Sequence, residues 1–131
     1  MSGQYPNDLL YTKDHEWARV VGNVATVGVT RFAVDQLGDV TQVDLPKEGE
    51  TLRQGEVFGT VESVKAVSDL FAPFTGKVVK VNTPLSEAPQ NVNEEPYDEG
   101  WMIQIELGKP DETKALMDAE AYQEFLKESA E

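Results

Sequence analysis

The chain contains no cysteine and a single histidine, His15. Without thiols there is no disulfide framework, no thiolate nucleophile and no cysteine metal site. One histidine does not build a histidine metal cluster, and any Ser-His-Asp triad would have to use His15. Basic residues are scarce: 11 Lys and Arg stand against 24 Asp and Glu, a formal net charge of −13. Such a chain is repelled by phosphate backbones and anionic lipid, which argues against nucleic-acid and membrane-surface roles. Long apolar runs are missing, and none approaches the ~18 residues of a membrane span. Residues 1–11 lack a basic region, a long apolar core and arginines, so they read as neither a secretory signal nor a transit peptide.

What is present is globular. The 131 residues are 40% hydrophobic and 27% charged, enough for one core and too few for two ordinary domains. We expect a single domain over residues 1–131, with a core at about 12–107 and a helical extension at about 110–128. The charge is uneven: residues 1–81 carry a net −3 and residues 82–131 a net −10. The second half is therefore steered toward partners with basic rims.

Most segments read as strands. Glu16–Val21 and Val24–Val29 flank Gly22-Asn23, a tight-hairpin signal. Thr30 caps a short helix over Arg31–Leu37, stopped by Gly38, with Phe32, Ala33 and Leu37 expected to face the core. Further strands are expected over Thr41–Leu45, Glu56–Glu62, Val67–Phe71, Gly76–Val81 and Trp101–Leu107. In the second of these, Val57, Gly59 and Val61 would share one face. In Gly76–Val81, Lys77 and Lys80 are the wet positions. Residues 82–100, with Pro84, Pro89 and Pro96, read as a surface loop. Pro110-Asp111 opens a helical tail, and Asp118 caps a last helix with an apolar stripe of Tyr122, Phe125 and Leu126.

The segment from Val57 to Pro73 holds two strand-like runs around a short turn with Lys65 at its tip. Its neighbours are Glu62 and Asp69 rather than an apolar pocket, so Lys65 is not set up as a Schiff-base lysine. Projected into water, it is well presented to another enzyme for acylation. On pattern alone it is a solvated turn lysine. Glu62-Ser63-Val64-Lys65-Ala66, followed by Ser68-Asp69, resembles the lipoylation loop of the glycine-cleavage H-protein family. His15-Glu16-Trp17, Val27-Gly28-Val29-Thr30 with Gln36-Leu37-Gly38-Asp39, Gly59-Thr60-Val61, Gly76 to Asn82 and Pro96 to Met102 resemble that family's other motifs, in order.

The resemblance implies a mainly β fold, a flattened sandwich or half-barrel like that of lipoyl and biotinyl carriers. It adds a short helix in the N-terminal half and helices at the C-terminus. It implies lipoic acid joined by an amide to Lys65, with Glu62, Ser63, Val64 and Ala66 as the recognition turn. The sulfurs of a redox role would thus be imported, and no metal is implied. The chain would be a non-catalytic carrier subunit. Its partners would be glycine decarboxylase (pyridoxal phosphate), an aminomethyltransferase (tetrahydrofolate), dihydrolipoamide dehydrogenase (flavin) and a lipoate-attaching enzyme. Glu16, Asp69 and Asp14 are the implied lining of a cleft that holds the aminomethyl ammonium and excludes water. A monomer is expected, in the bacterial cytoplasm or, for a processed eukaryotic chain, the mitochondrial matrix. His15 is expected as a half-buried strand residue without a catalytic role.

Other readings differ in testable ways. A biotin carrier has Met on both sides of its lysine, where this chain has Val64 and Ala66. Lipoyl domains of 2-oxo-acid dehydrogenases are shorter and usually place Asp before the lysine. An H-like relay that donates lipoyl groups to other proteins fits the same motifs. A small serine hydrolase would need His15 beside Ser63 or Ser68, and the chain has no G-x-S-x-G elbow.

Overall fold

A computed structural model describes residue 6 and residues 8–129. In chain order the elements are β1 (Leu10–Tyr11), β2 (Glu16–Val21), β3 (Val24–Val29), α1 (Arg31–Leu37), β4 (Val40–Asp44), β5 (Thr51–Leu52), β6 (Val57–Ser63), β7 (Val67–Phe71) and β8 (Gly76–Val81). A 3-10 turn (Thr83–Ser86), α2 (Gln90–Glu94), β9 (Ile103–Leu107), a second 3-10 segment (Pro110–Ala115) and α3 (Ala119–Ser129) follow. Two antiparallel sheets form: a six-stranded one, β1-β2-β3-β9-β8-β5, and a three-stranded one, β4-β6-β7. The mainly β two-sheet architecture agrees with the expected sandwich.

The main core lies between the sheets and takes Ala18, Val27, Val61, Leu70, Val78 and Ile105 among others. A second apolar cluster of Leu9, Tyr11, Trp17, Ala119 and Tyr122 covers β2 from the other side. Successive side chains of a strand point to opposite faces, so burial of both Trp17 and Ala18 means that β2 is covered on both. The indole of Trp17 lies over Gly28, its partner on β3, where an added Cβ would sit 2.7 Å from Nε1. That contact, and not a turn, explains the glycine. Trp17 Nε1 donates to the Pro96 carbonyl at 2.8 Å and ties β2 to the segment after α2.

Several expectations need correction. On α1 the buried residues are Val34 and Leu37; Ala33 packs at the core's edge and Phe32 packs against the His15 ring at a tilt of 43°. In β6 the pairing with β7 shifts between Val57 and Gly59. This irregularity turns Val57 outward and buries Phe58 with Val61, because one extra residue reverses the pleat. A similar shift at Val78/Lys80 leaves Lys77, Val79 and Lys80 all wet. β4 begins at Val40, one residue before the expected strand, and the short strands β1 and β5 are too brief to show periodicity.

Residues 82–100 are not a plain surface loop: they hold a 3-10 turn and α2, and they bury Leu85 and Val92. Asn82 closes this excursion. Its Nδ2 donates to the carbonyls of Glu99 at 2.9 Å and Trp101 at 2.7 Å. Each buried carbonyl left without such a donor would cost about 1–3 kcal/mol. At the C-terminus Asp118 does cap α3, accepting the Ala121 amide at 2.8 Å.

Candidate functional site

Lys65 stands on the turn joining β6 to β7. Ser63 makes that turn stiff. Its hydroxyl oxygen accepts the amides of Lys65 at 3.2 Å and Ala66 at 3.1 Å, and its own amide donates to the Ala66 carbonyl at 2.8 Å. A serine side chain that captures nearby amides holds a turn without long-range contacts. The Lys65 side chain is exposed, and among the described residues no ion pair takes its ammonium. Val64 and Val67 beside it are 68% and 64% exposed. Glu62 lies in β6 opposite Val67, below the tip.

From the foot of this turn a cleft of about 480 Å³ runs between the sheets. Ala66, Ser68, Asp69, Leu70 and Phe71 form one wall; α1 gives Phe32, Ala33, Gln36 and Leu37. Lys13, Asp14, His15 and Glu16 close the far end. The structure therefore brings Glu16, Asp69 and Asp14 to the cleft that begins beside Lys65. Asp69 and Asp14 are exposed, whereas Glu16 is 1% exposed.

Glu16 is the unusual group. Oε2 accepts the Phe71 amide at 3.0 Å and Oε1 accepts the Thr12 hydroxyl at 2.9 Å. Burial pushes its carboxyl from 4.5 up to about 8, against the pull of those two hydrogen bonds, and the charge of Asp14 pushes the same way. The resting group is therefore mostly protonated at neutral pH. Behind it a second cavity of about 210 Å³ opens, lined by Tyr11, Thr12, Gln54, Pro73 and Met117 among others, so Glu16 separates two concave spaces.

His15 is not a strand residue. It lies in the turn before β2 with φ 68°, a left-handed conformation uncommon outside glycine. Its ring Nδ1 and the Tyr122 hydroxyl are hydrogen-bonded at 2.8 Å, and its ring packs on Phe32 and Phe125. Burial lowers its pKa, partly offset by Asp14. Of the two serines in the hydrolase reading, Ser63 is committed to the turn, its hydroxyl donating to the Ala66 carbonyl at 3.3 Å and accepting the amides of Lys65 and Ala66. Sequence reasoning missed Thr12, the α1 wall and Tyr122; only the apolar stripe of the last helix hinted at the third.

A solvated lysine on a stiff hairpin tip of a two-sheet sandwich defines the class: a protein with a lipoyl-domain-like fold. The family model for "Glycine cleavage H-protein" matches residues 9–129. The chain belongs to that family. It is 57% identical over 125 residues to the glycine cleavage system H protein of Anaeromyxobacter sp. (strain K), covering 95% of this chain and 98% of that one. It is 56% identical to that of Symbiobacterium thermophilum, covering 94% and 96%. A crystal structure of a glycine cleavage system H protein from Mycobacterium marinum matches with TM-score 0.80 and 39% identity, over 89% of this chain and 94% of that one.

The state of Glu16 has a consequence for stability. With its pKa raised in the fold, the native protein keeps a proton that the unfolded chain has released. The resulting stabilisation is complete below about pH 4.5, is lost as pH rises, and is gone above about pH 8. In Glu16→Gln the amide oxygen can keep the Phe71 amide, and no titrating proton remains at the position. Urea unfolding of both proteins should show the stability of the variant gaining on wild type by up to ~1.4 kcal/mol per pH unit between about pH 5 and 7.5. Parallel pH profiles would refute the buried neutral carboxyl.

Proposed function

We propose that this chain is the lipoyl carrier of a glycine cleavage system, with lipoic acid in amide linkage to Lys65 Nζ. The observation that carries this reading is the solvated lysine on a Ser63-braced tip, at the mouth of a cleft, in a chain of this family. The residues fit the group. Lys65 offers an exposed amine that no ion pair takes among the described residues, and Phe32, Leu37, Val61 and Leu70 line an apolar path from its foot. When attached, the lipoyl group supplies the dithiolane that is reduced, reoxidised and used to carry the aminomethyl group of glycine.

The chain's own work is presentation and protection. Lys65 anchors the arm and loses its charge on acylation. Glu62, Ser63, Val64 and Ala66 give the lipoate-attaching enzyme a fixed turn to recognise. Glu16, Asp69 and Asp14 hold a primary ammonium in the cleft. For Glu16 this includes a change of state: an arriving ammonium favours its ionised form, so its carboxyl proton would pass to solvent as the ammonium enters. A buried carboxyl that is neutral at rest and charged when occupied avoids an uncompensated charge in the empty cleft.

The partners on this reading are glycine decarboxylase, the aminomethyltransferase and dihydrolipoamide dehydrogenase, each using its own cofactor; the carrier catalyses nothing itself. The whole chain acts as one carrier unit, monomeric between encounters. Its bacterial relatives support a cytoplasmic setting.

Two experiments test this. Intact mass of protein from a lipoate-replete host should show one lipoyl increment, absent in Lys65→Arg; a persistently bare Lys65 overturns the reading. For the cleft, Glu16→Gln should shorten about tenfold the time for which the protein retains its aminomethyl load, the effect of losing one charge-assisted hydrogen bond. An unchanged lifetime removes Glu16 from that role.

A further inference from the structure

The acidic segment Asn91–Glu95 lies within α2 and its C-cap and lines none of the cleft beside Lys65. Asn93 in it uses both ends of its side-chain amide on a single stretch of chain. Nδ2 donates to the Gly38 carbonyl at 2.7 Å, and Oδ1 accepts the Val40 amide at 2.8 Å. Its backbone carbonyl accepts Arg31 Nη1 at 2.9 Å, which fixes it to the start of α1. Asp39 is thus gripped from both sides. The Asp39 carbonyl in turn accepts the amide of Val64 at 3.1 Å, one residue before Lys65.

The same stretch touches the lysine directly. Gly38 has φ 76°, and a Cβ added there would lie 3.4 Å from Lys65 Cε, so the aliphatic stem of the lysine runs along this glycine. The brace also sits beside an irregularity in the sheet. Pairing of β4 with β6 shifts between Val40 and Gln42, next to the Val40–Ser63 pair that leads into the turn. A ladder interrupted beside a hairpin tip leaves that tip free to tilt unless something outside the ladder holds it. Ser63 fixes the turn internally; Asn93 is placed to fix it relative to the body of the protein.

We infer that Asn93 is a positioning residue for the Lys65 turn, acting through Gly38–Val40 and the Asp39–Val64 hydrogen bond to set where the lysine is offered for acylation. This rests on the reading of Lys65 as the attachment site. The test uses the full chain as acceptor for a lipoate-attaching enzyme with lipoate and ATP, together with amide hydrogen exchange. Asn93→Ala should raise the acceptor KM about fivefold or more with kcat within about twofold. It should also speed exchange at the Val64 amide about tenfold while the β9 amides of Ile103 and Ile105 keep their protection. Asn93→Asp keeps the acceptor for the Val40 amide but turns a carboxylate oxygen on the Gly38 carbonyl in place of the donor, so it should move both readouts in the same direction. Unchanged kinetics with unchanged Val64 exchange overturn the proposal. So does a uniform loss of protection that includes β9, which would make Asn93 a residue of general stability. If wild-type protein itself accepts no lipoyl group at Lys65, the carrier reading fails, and Val64 exchange still reports whether the brace exists.

Discussion

A single buried carboxyl joins the two sheets where the cleft ends. Glu16 belongs to β2 of the larger sheet, and it accepts the amide of Phe71 at the end of β7 in the smaller one. β7 begins at the turn that carries Lys65. The hydrogen bond therefore ties the far end of the lysine's own strand to the rest of the molecule, and the space left between its two ends is the cleft. Removing one partner of such a buried bond leaves the other unsatisfied, so the arrangement resists small perturbations. A carboxyl held there with its proton on satisfies the backbone without burying a charge.

The surroundings of Glu16 serve the same end. Thr12 accepts the amides of Asp14 and Glu16 and donates to Oε1, which folds residues 12–16 into a tight loop. That loop puts His15 at positive φ, a conformation sustained by rings on every side and by the hydrogen bond to Tyr122. Tyr122 also reaches Thr30, the cap of α1, at 2.8 Å. The C-terminal helix, the turn before β2 and the wall of the cleft are thus one connected unit. α3 seats on this unit through Tyr122, Phe125 and Leu126, and that packing explains its narrow apolar stripe.

Much of this was legible in the residues. Period-two alternation and the Gly22-Asn23 turn gave the β2–β3 hairpin, and Thr30 and Gly38 bounded α1 correctly. The exposed place of Lys65 on the β6–β7 turn was legible because a turn tip is a local property. The failures share a physical cause. Irregular pairing at Val57/Gly59 is set by the partner strand, so alternation alone gives the wrong face for Val57; at Val78/Lys80, where the pairing also shifts, both lysines are wet as expected. Helix α2 was read as loop because its purpose is non-local: Asn93 bonds to residues 53 and 55 positions away. The composition marks Glu16 as an acid in an acidic chain, yet burial in the fold raises its pKa to about 8. The −13 net charge describes the surface and says nothing of that group.

If Lys65 and the cleft beside it serve glycine cleavage rather than the mere relay of lipoyl groups, the loaded chain must support turnover of glycine. The most direct measurement is glycine–bicarbonate exchange in a system reconstituted from lipoylated wild-type chain and glycine decarboxylase, with Lys65→Arg carried through the same lipoylation step. Exchange should depend on the wild-type chain and vanish with Lys65→Arg. Undiminished exchange with Lys65→Arg, or none with fully lipoylated wild type, would contradict it.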